Sequence, residues 1–172
     1  MTRPVRMFAV AAALAVMTTA GIGIVAGSVE AEAATQHTLR IPSAAFAPRY
    51  HATEFLNTGR NLQNVGASSK AFVAPVLLQG NSATIQSVQM HYTDIDSGAI
   101  CVSVVRQTMK THVDKTMSSM CSRNAVAGVR TRTDTTIQPE SVSADQGVYV
   151  YVTLPPGLYV LHGVTIVYTS DP

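Results

Sequence analysis

Short runs of β-branched and aromatic residues, separated by Gly, Pro, Asn and Asp, follow one another from Thr35 to the end of the chain. No stretch of a dozen residues in this part repeats apolar side chains at the three- and four-residue spacing of an amphipathic helix. The sequence therefore predicts an all-β domain with about eight strands, which favours a two-sheet antiparallel β-sandwich of the jelly-roll type. The candidate strands are residues 37–42, 70–78, 83–92, 99–107, 117–122, 129–138, 147–154 and 158–169.

The candidate strand at residues 147–154 alternates most clearly. Three valines and a leucine fall on one face, and Tyr149, Tyr151 and Thr153 fall on the other, because successive side chains of a strand point to opposite sides. We expect the valine face in the core and the two tyrosines outside it, as a candidate interaction surface, since aromatic anchors contribute strongly to association. Alternatively, the tyrosines pack under residues 50–69, which show no clear period and are predicted to be a long loop.

The two cysteines predict a disulfide. If residues 99–107 and 117–122 form a hairpin, the register that places Cys101 opposite Cys121 also places Val102 opposite Met120 in the core. Paired cysteines are the rule in exported chains, because the exterior is oxidising. A catalytic thiol would need a partner base, and the sequence places none near either cysteine.

The N-terminal segment predicts export. Arg3 and Arg6 precede an uncharged stretch at residues 7–29, and Ala31-Glu32-Ala33 supplies the small residues that a signal peptidase requires. Residues 1–34 are therefore predicted to be a secretory signal peptide, and residues 35–172 the mature β-sandwich domain. The alternative is a retained membrane anchor, the one case in which a membrane contact is expected. Either way the domain is predicted to be secreted or associated with the cell envelope.

Charge and motif content argue against several chemistries. The chain has 12 basic and 10 acidic residues, a net charge of +2 that offers no large excess for nucleic acid. It contains no G-x-S-x-G turn, phosphate-binding loop, dinucleotide fingerprint or CxxC pair. The five histidines show no metal-ligand spacing. We therefore predict no catalytic residue, no metal and no cofactor, although a site assembled from distant residues stays open.

Several short motifs occur in a fixed order along the mature chain: Ile41–Arg49 (IPSAAFAPR), Phe72–Leu78 (FVAPVLL), Gly80–Ile85 (GNSATI), His91–Asp94 (HYTD) and Gly163–Thr169 (GVTIVYT). This set resembles a family of uncharacterised exported bacterial β-sandwich proteins, from which the chain departs by inserting Asn81-Ser82. The resemblance implies an exported β-sandwich and supplies no catalytic residues.

These observations support a non-enzymatic exported β-sandwich that acts as a surface interaction or envelope-associated structural module, with self-association as one mode. The first alternative is a glycan or cell-wall binding module, because tyrosine rings offer flat apolar surfaces to sugars, although the chain has no Trp. A weaker alternative is a secreted hydrolase, which would require His, Asp and Ser to meet in one cleft.

Overall fold

The computed structural model describes residues 34–50, 54–123, 126–138 and 140–171. Residues 1–33, which hold nearly all of the predicted signal peptide, lie outside the described residues, and that assignment stays a prediction. Among the described residues, none forms a helix with the length and apolar character needed to span a bilayer.

Twelve strands account for most of the described domain. In chain order they are β1 (Thr35–Pro42), β2 (Ala47–Pro48), β3 (Phe55–Asn57), β4 (Leu62–Asn64), β5 (Lys70–Val76), β6 (Ser82–Asp94), β7 (Cys101–Thr108), β8 (Val113–Cys121), β9 (Val126–Asp134), β10 (Ser141–Ser143), β11 (Gln146–Leu154) and β12 (Tyr159–Ser170). Eight of them have seven or more residues and correspond to the eight predicted strands. The other four, β2, β3, β4 and β10, have two or three residues each and were not predicted from the sequence.

The strands form two antiparallel sheets. The five-stranded sheet has the order β2-β5-β11-β7-β8. The seven-stranded sheet has the order β10-β6-β12-β4-β3, with β1 also paired to β12 and β9 to β6. Successive long strands lie alternately in one sheet and the other, β1 with β6, β9 and β12, and β5 with β7, β8 and β11. This is jelly-roll connectivity, so the predicted fold class is confirmed.

The core lies between the sheets and contains the faces expected from alternation. Val150, Val152 and Leu154 of β11 are fully buried, as are Phe72 of β5 and Ile166 of β12. Burying each such side chain contributes roughly 1.5–3 kcal/mol relative to exposure. The opposite face of each sheet points away from this core, and the candidate binding residues lie there.

The predicted disulfide is present. Cys101, the first residue of β7, and Cys121, the last of β8, face each other with their Cα atoms 4.0 Å apart. Val102 pairs with Met120 next to them, as the predicted register required. A bonded pair fits an oxidising compartment outside the cytoplasm.

The prediction of a long loop at residues 50–69 is wrong. This segment contains β3 and β4, and β4 joins the seven-stranded sheet through Val160 and Leu161 of β12. Leu62 and Asn64 of β4 are both buried. Three-residue strands are too short to show alternation, and an asparagine inside one of them is typical of a turn, so the sequence pattern did not indicate them.

Candidate functional site

The outer face of the five-stranded sheet carries the two tyrosines that the sequence placed outside the core. Tyr149 lies opposite Pro75 of β5 and Val105 of β7, and Tyr151 lies opposite Val73 and Ser103. Directly opposed residues of neighbouring strands point to the same side, so the tyrosines rise from a partly apolar floor. We call the following set the tyrosine face: Arg49, Tyr50, Gln107, Asp114, Tyr149 and Tyr151.

Asp114 fixes the orientation of Tyr149. The Tyr149 hydroxyl donates to Oδ2 of Asp114 at 3.0 Å, and Gln107 Nε2 donates to Oδ1 of the same carboxylate at 2.9 Å. Burial raises the pKa of Tyr149, and its hydrogen bond to the Asp114 carboxylate raises that pKa further. The phenol therefore keeps its proton and stays a donor to Asp114 throughout the neutral range.

Arg49 lies on the other side of the tyrosine pair. It follows β2, and its backbone N–H donates to the Ala71 carbonyl at 2.9 Å, which fixes the chain beside β5. Its Cζ atom lies 5.3 Å from the ring centroid of Tyr151 and 5.4 Å from that of Tyr50. Cation–π contacts at this distance hold the guanidinium across the rings and leave N–H donors directed towards solvent.

Two connected depressions cover this face. One has a volume of about 400 Å³ and is lined by Arg49, Val73, Pro75, Gln107, Asp114 and Tyr149 among others. The second, about 320 Å³, is lined by Arg49, Ser103, Asp114, Thr116, Tyr149 and Tyr151 among others. Because Arg49, Asp114 and Tyr149 line both, they form one elongated shallow surface with an apolar floor and polar sides.

The charges on the tyrosine face balance. Arg49 carries one positive charge and Asp114 one negative charge, and Asp114 already accepts hydrogen bonds from Tyr149 and Gln107. An ionised carboxylate offers about four acceptor sites, so about two stay free for a ligand. The face therefore presents both donors and acceptors without a net charge that would favour an ionic ligand.

We looked for catalytic arrangements among the described residues. Nε2 of His37 lies 3.0 Å from the hydroxyl of Ser170, and the His37 ring stacks on Tyr168. No described carboxylate bonds that ring, so the orienting third group of a hydrolytic triad is missing from the described part of the chain. Within the same residues, no three His, Cys, Asp or Glu side chains are grouped closely enough to hold a metal ion.

The sequence matches no protein-family model and no curated protein sequence. Among solved structures the chain is similar to the C-terminal family 6 carbohydrate-binding module of LamC, a marine laminarinase from Zobellia galactanivorans, with 14% identity, 76% of this chain and 98% of that chain covered, and a TM-score of 0.49. It is also similar to the family 35 carbohydrate-binding module of Abf62 from Cellvibrio japonicus, with 16% identity, 76% and 92% covered, and a TM-score of 0.42. At these values the similarity concerns architecture alone, and the family resemblance noted from the sequence motifs stays a prediction.

The structure brings Tyr149 and Tyr151 together on one open face, and their role as an interaction surface stays a prediction. Alternation along β11 indicated both tyrosines. It did not indicate Arg49 or Asp114, because these reach the same face through pairing with other strands. Tyr50, at the start of the segment predicted to be a loop, stacks on Arg49 at one side of the face.

Proposed function

We propose that this protein binds an uncharged saccharide chain on the tyrosine face. The observation that carries the proposal is the pair of half-buried rings, Tyr149 and Tyr151, which line two connected depressions between Arg49 and Asp114. A pyranose ring has an apolar C–H face that packs on an aromatic ring, and hydroxyls at its edge that both donate and accept hydrogen bonds. Floor and sides of the tyrosine face match these two parts of a sugar.

The polar groups at the sides of the face support a neutral ligand. Asp114 accepts from sugar hydroxyls, whereas Arg49 and Gln107 supply donors. All three are held in place before any ligand arrives, Asp114 by two hydrogen bonds and Arg49 by two aromatic rings. Preorganised groups lose little side-chain entropy on binding, which favours affinity at a shallow surface.

Binding would occur without chemistry in this proposal. The protein would display the tyrosine face outside the cytoplasm, where the predicted signal peptide sends it, and attach to a polysaccharide or to the glycan strands of a cell wall. The interaction-module hypothesis then takes a specific form, in which the partner is a glycan and not a second protein.

Replacing both tyrosines by alanine is expected to abolish retention on the insoluble polysaccharide or peptidoglycan that holds the wild-type protein. Each stacked ring is expected to contribute about tenfold in affinity, so the double variant loses about a hundredfold. The measurement is a pulldown with a panel of insoluble polysaccharides and peptidoglycan, followed by depletion isotherms. Val167→Ala is the matched control, because Val167 is half-buried on the outer face of the other sheet.

Two results would contradict the proposal. One is a wild-type protein that no glycan in the panel retains but that forms a dimer in light scattering, which the Tyr149→Ala, Tyr151→Ala change disrupts. The other is equal retention of wild-type and double variant. Thermal unfolding followed by circular dichroism shows whether the variant is still folded.

Asp114→Asn is expected to weaken saccharide binding about fivefold while leaving the fold intact. The change keeps the shape of the side chain but replaces charge-assisted hydrogen bonds by neutral ones, which are weaker by about 1 kcal/mol. Tyr149→Phe, which removes only the hydroxyl that donates to Asp114, separates the orientation of the carboxylate from the stacking of the ring. Isothermal titration with a soluble oligosaccharide of the retained glycan measures both, and an Asp114→Asn affinity equal to wild type would remove Asp114 from the site.

A further inference from the structure

The outer face of the seven-stranded sheet contains a larger depression, separate from the tyrosine face. Its volume is about 680 Å³, and its lining includes Arg40 and Pro42 of β1, Gln89 and His91 of β6, and His162 and Thr165 of β12. Arg40 pairs with Thr165, and Gly163 pairs with His91. The β1–β12–β6 pairing thus collects one arginine and two histidines from three distant parts of the chain.

Hydroxyl groups hold the His91 ring at the edge of this depression. Nε2 of His91 lies 3.1 Å from Oγ1 of Thr165, and its Nδ1 lies 3.3 Å from Oγ1 of Thr131. A threonine hydroxyl either donates or accepts, so the same contacts serve the neutral and the protonated imidazole. His91 can therefore gain a proton without losing its position.

His162 is held in a similar way. Its Nδ1 lies 2.9 Å from Oδ1 of Asn61, and its Nε2 lies 2.9 Å from Oγ1 of Thr93. The amide oxygen only accepts, which places a proton on Nδ1, and the hydroxyl of Thr93 again adapts to either protonation state of Nε2. Both imidazoles are thus fixed in place and free to titrate.

Positive charge on this face has no acidic partner among the described residues. Arg40 is exposed, and the ion pair found in that part of the chain joins Lys70 to Glu54 instead. The carboxylates of β6 and β9 are engaged elsewhere, since Asp94 accepts from Ser122 and Asp134 from Ser118. The described residues on the outer side of the strands around the depression are uncharged apart from Arg40 and the histidines: Gln36, Thr38, Gln89, Thr93, Thr131, Thr133, Thr165, Val167 and Thr169.

The pKa of His91 shows that these groups affect one another. Burial lowers the pKa of His91 below its ordinary value, and the positive fields of His162 and Arg40 lower it further. An anion placed among the three groups reverses the last two effects, because it favours the protonated imidazole. Binding of an anion and uptake of a proton are therefore coupled on this face.

We propose that this depression is a second binding site, which holds one oxyanion group, a carboxylate, sulfate or phosphate, between Arg40, His91 and His162, and binds it more tightly in mildly acidic than in neutral solution. Arg40 supplies a permanent charge and two parallel N–H donors, a geometry suited to paired oxygens. The histidines add charge as the pH falls through their pKa values. One added unit charge near an anion in an exposed site strengthens binding about fivefold.

The test is a titration of the purified protein with sodium sulfate, sodium acetate and sodium phosphate at pH 5.5 and 7.5, with sodium chloride adjusted to hold ionic strength constant. Amide and imidazole resonances measured by NMR report the site. We expect saturable shifts at Arg40, His91 and His162, about fivefold tighter at pH 5.5, and a rise in the pKa of His91 when the anion is bound. The three arms rank the oxyanions and identify the preferred class.

Arg40→Gln is expected to weaken this binding about tenfold or more. Arg130→Gln is the matched control, because Arg130 is exposed on edge strand β9 and pairs with Tyr92, which faces the core. Shifts that chloride reproduces at equal ionic strength, or equal affinity of the two glutamine variants, would overturn the proposal. Tyr149→Ala, on the opposite sheet, should leave the oxyanion titration unchanged, so this test is independent of saccharide binding.

Discussion

Asn64→Leu is expected to lower the free energy of unfolding by about 3 kcal/mol, although the residue lies in a segment whose sequence resembles a loop. Asn64 is 1% exposed, and its side chain joins three backbone groups. Nδ2 donates to the carbonyls of Ser68 at 2.8 Å and Leu154 at 3.0 Å, and Oδ1 accepts from the Gly66 N–H at 2.9 Å. Leucine fills the space but leaves these groups without that partner, and each buried unsatisfied group costs about 1–3 kcal/mol.

The measurement is urea or thermal unfolding followed by circular dichroism, with an expected fall in Tm of about 10 °C for a domain of this size. Gln63→Leu, one residue earlier in β4, is the control, because the side chain of Gln63 is half-buried and makes one long hydrogen bond of 3.4 Å to Gly157. It should change stability by less than about 0.5 kcal/mol. Equal stability of the two variants would show that Asn64 does not anchor β4.

Asn64→Asp provides a second and sharper readout. A carboxylate at this position turns acceptor oxygens towards two carbonyl oxygens, whereas a protonated carboxyl group can still donate to one of them. The folded-state pKa of the new aspartate is therefore expected to lie above its unfolded value. Its stability contribution is largest below the unfolded pKa and is lost as the pH rises through the folded pKa, so this variant should be less destabilised near pH 4 than near pH 7.

Asn64 illustrates which parts of the fold could be predicted from the sequence. The eight long strands and their core faces follow from local alternation, and the Cys101–Cys121 pairing follows from two neighbouring strands. Strand β4 has three residues, and its place in the sheet depends on contacts with Leu154 and with β12. Nothing in a window of three residues indicates such long-range contacts.

The tyrosine face shows a similar limit. If the register set by the cysteine pair is continued along the β7–β8 hairpin, it places Lys115 opposite Gln107. The structure instead has a register shift between Val104 and Val105, so Asp114 pairs with Gln107. A one-residue bulge exchanges the faces of all following side chains, which explains why the acidic group of the site was not predicted.

The histidines were scattered in the sequence and are not scattered in the fold. His91 and His162 lie on β6 and β12, which pair along most of their length, and the pair His91–Gly163 follows the register shift after Leu161. A Cβ atom at Gly163 would lie 2.7 Å from the Ile41 carbonyl oxygen, so the glycine allows β1 to approach and bring Arg40 to the same face. The spacing rules used for metal ligands apply within one strand or helix and do not detect sites built across strands.

Removing the disulfide is expected to lower the free energy of unfolding by about 3 kcal/mol, through the unfolded state more than through lost contacts. Cys101 and Cys121 are separated by 20 residues, and closing a loop of this length removes much of the freedom of the unfolded chain. Both cysteines are half-buried, so a Cys101→Ser, Cys121→Ser variant places its hydroxyls where water can reach them. The double variant and the reduced wild-type protein should therefore unfold at the same urea concentration.

The hairpin contacts with the tyrosine face test this account further. The disulfide closes one end of the β7–β8 hairpin, whereas Gln107 and Asp114 lie at its other end, beside the turn. Saccharide binding by the folded double variant should therefore match wild type within about twofold, because the seven pairs beyond Cys101–Cys121 keep the hairpin in register. Reductant should lower the unfolding midpoint of the wild type and leave that of the double variant unchanged. Free thiols titrated in the folded wild type without reductant, or a midpoint that reductant does not move, would show that the bond is absent from the protein in solution.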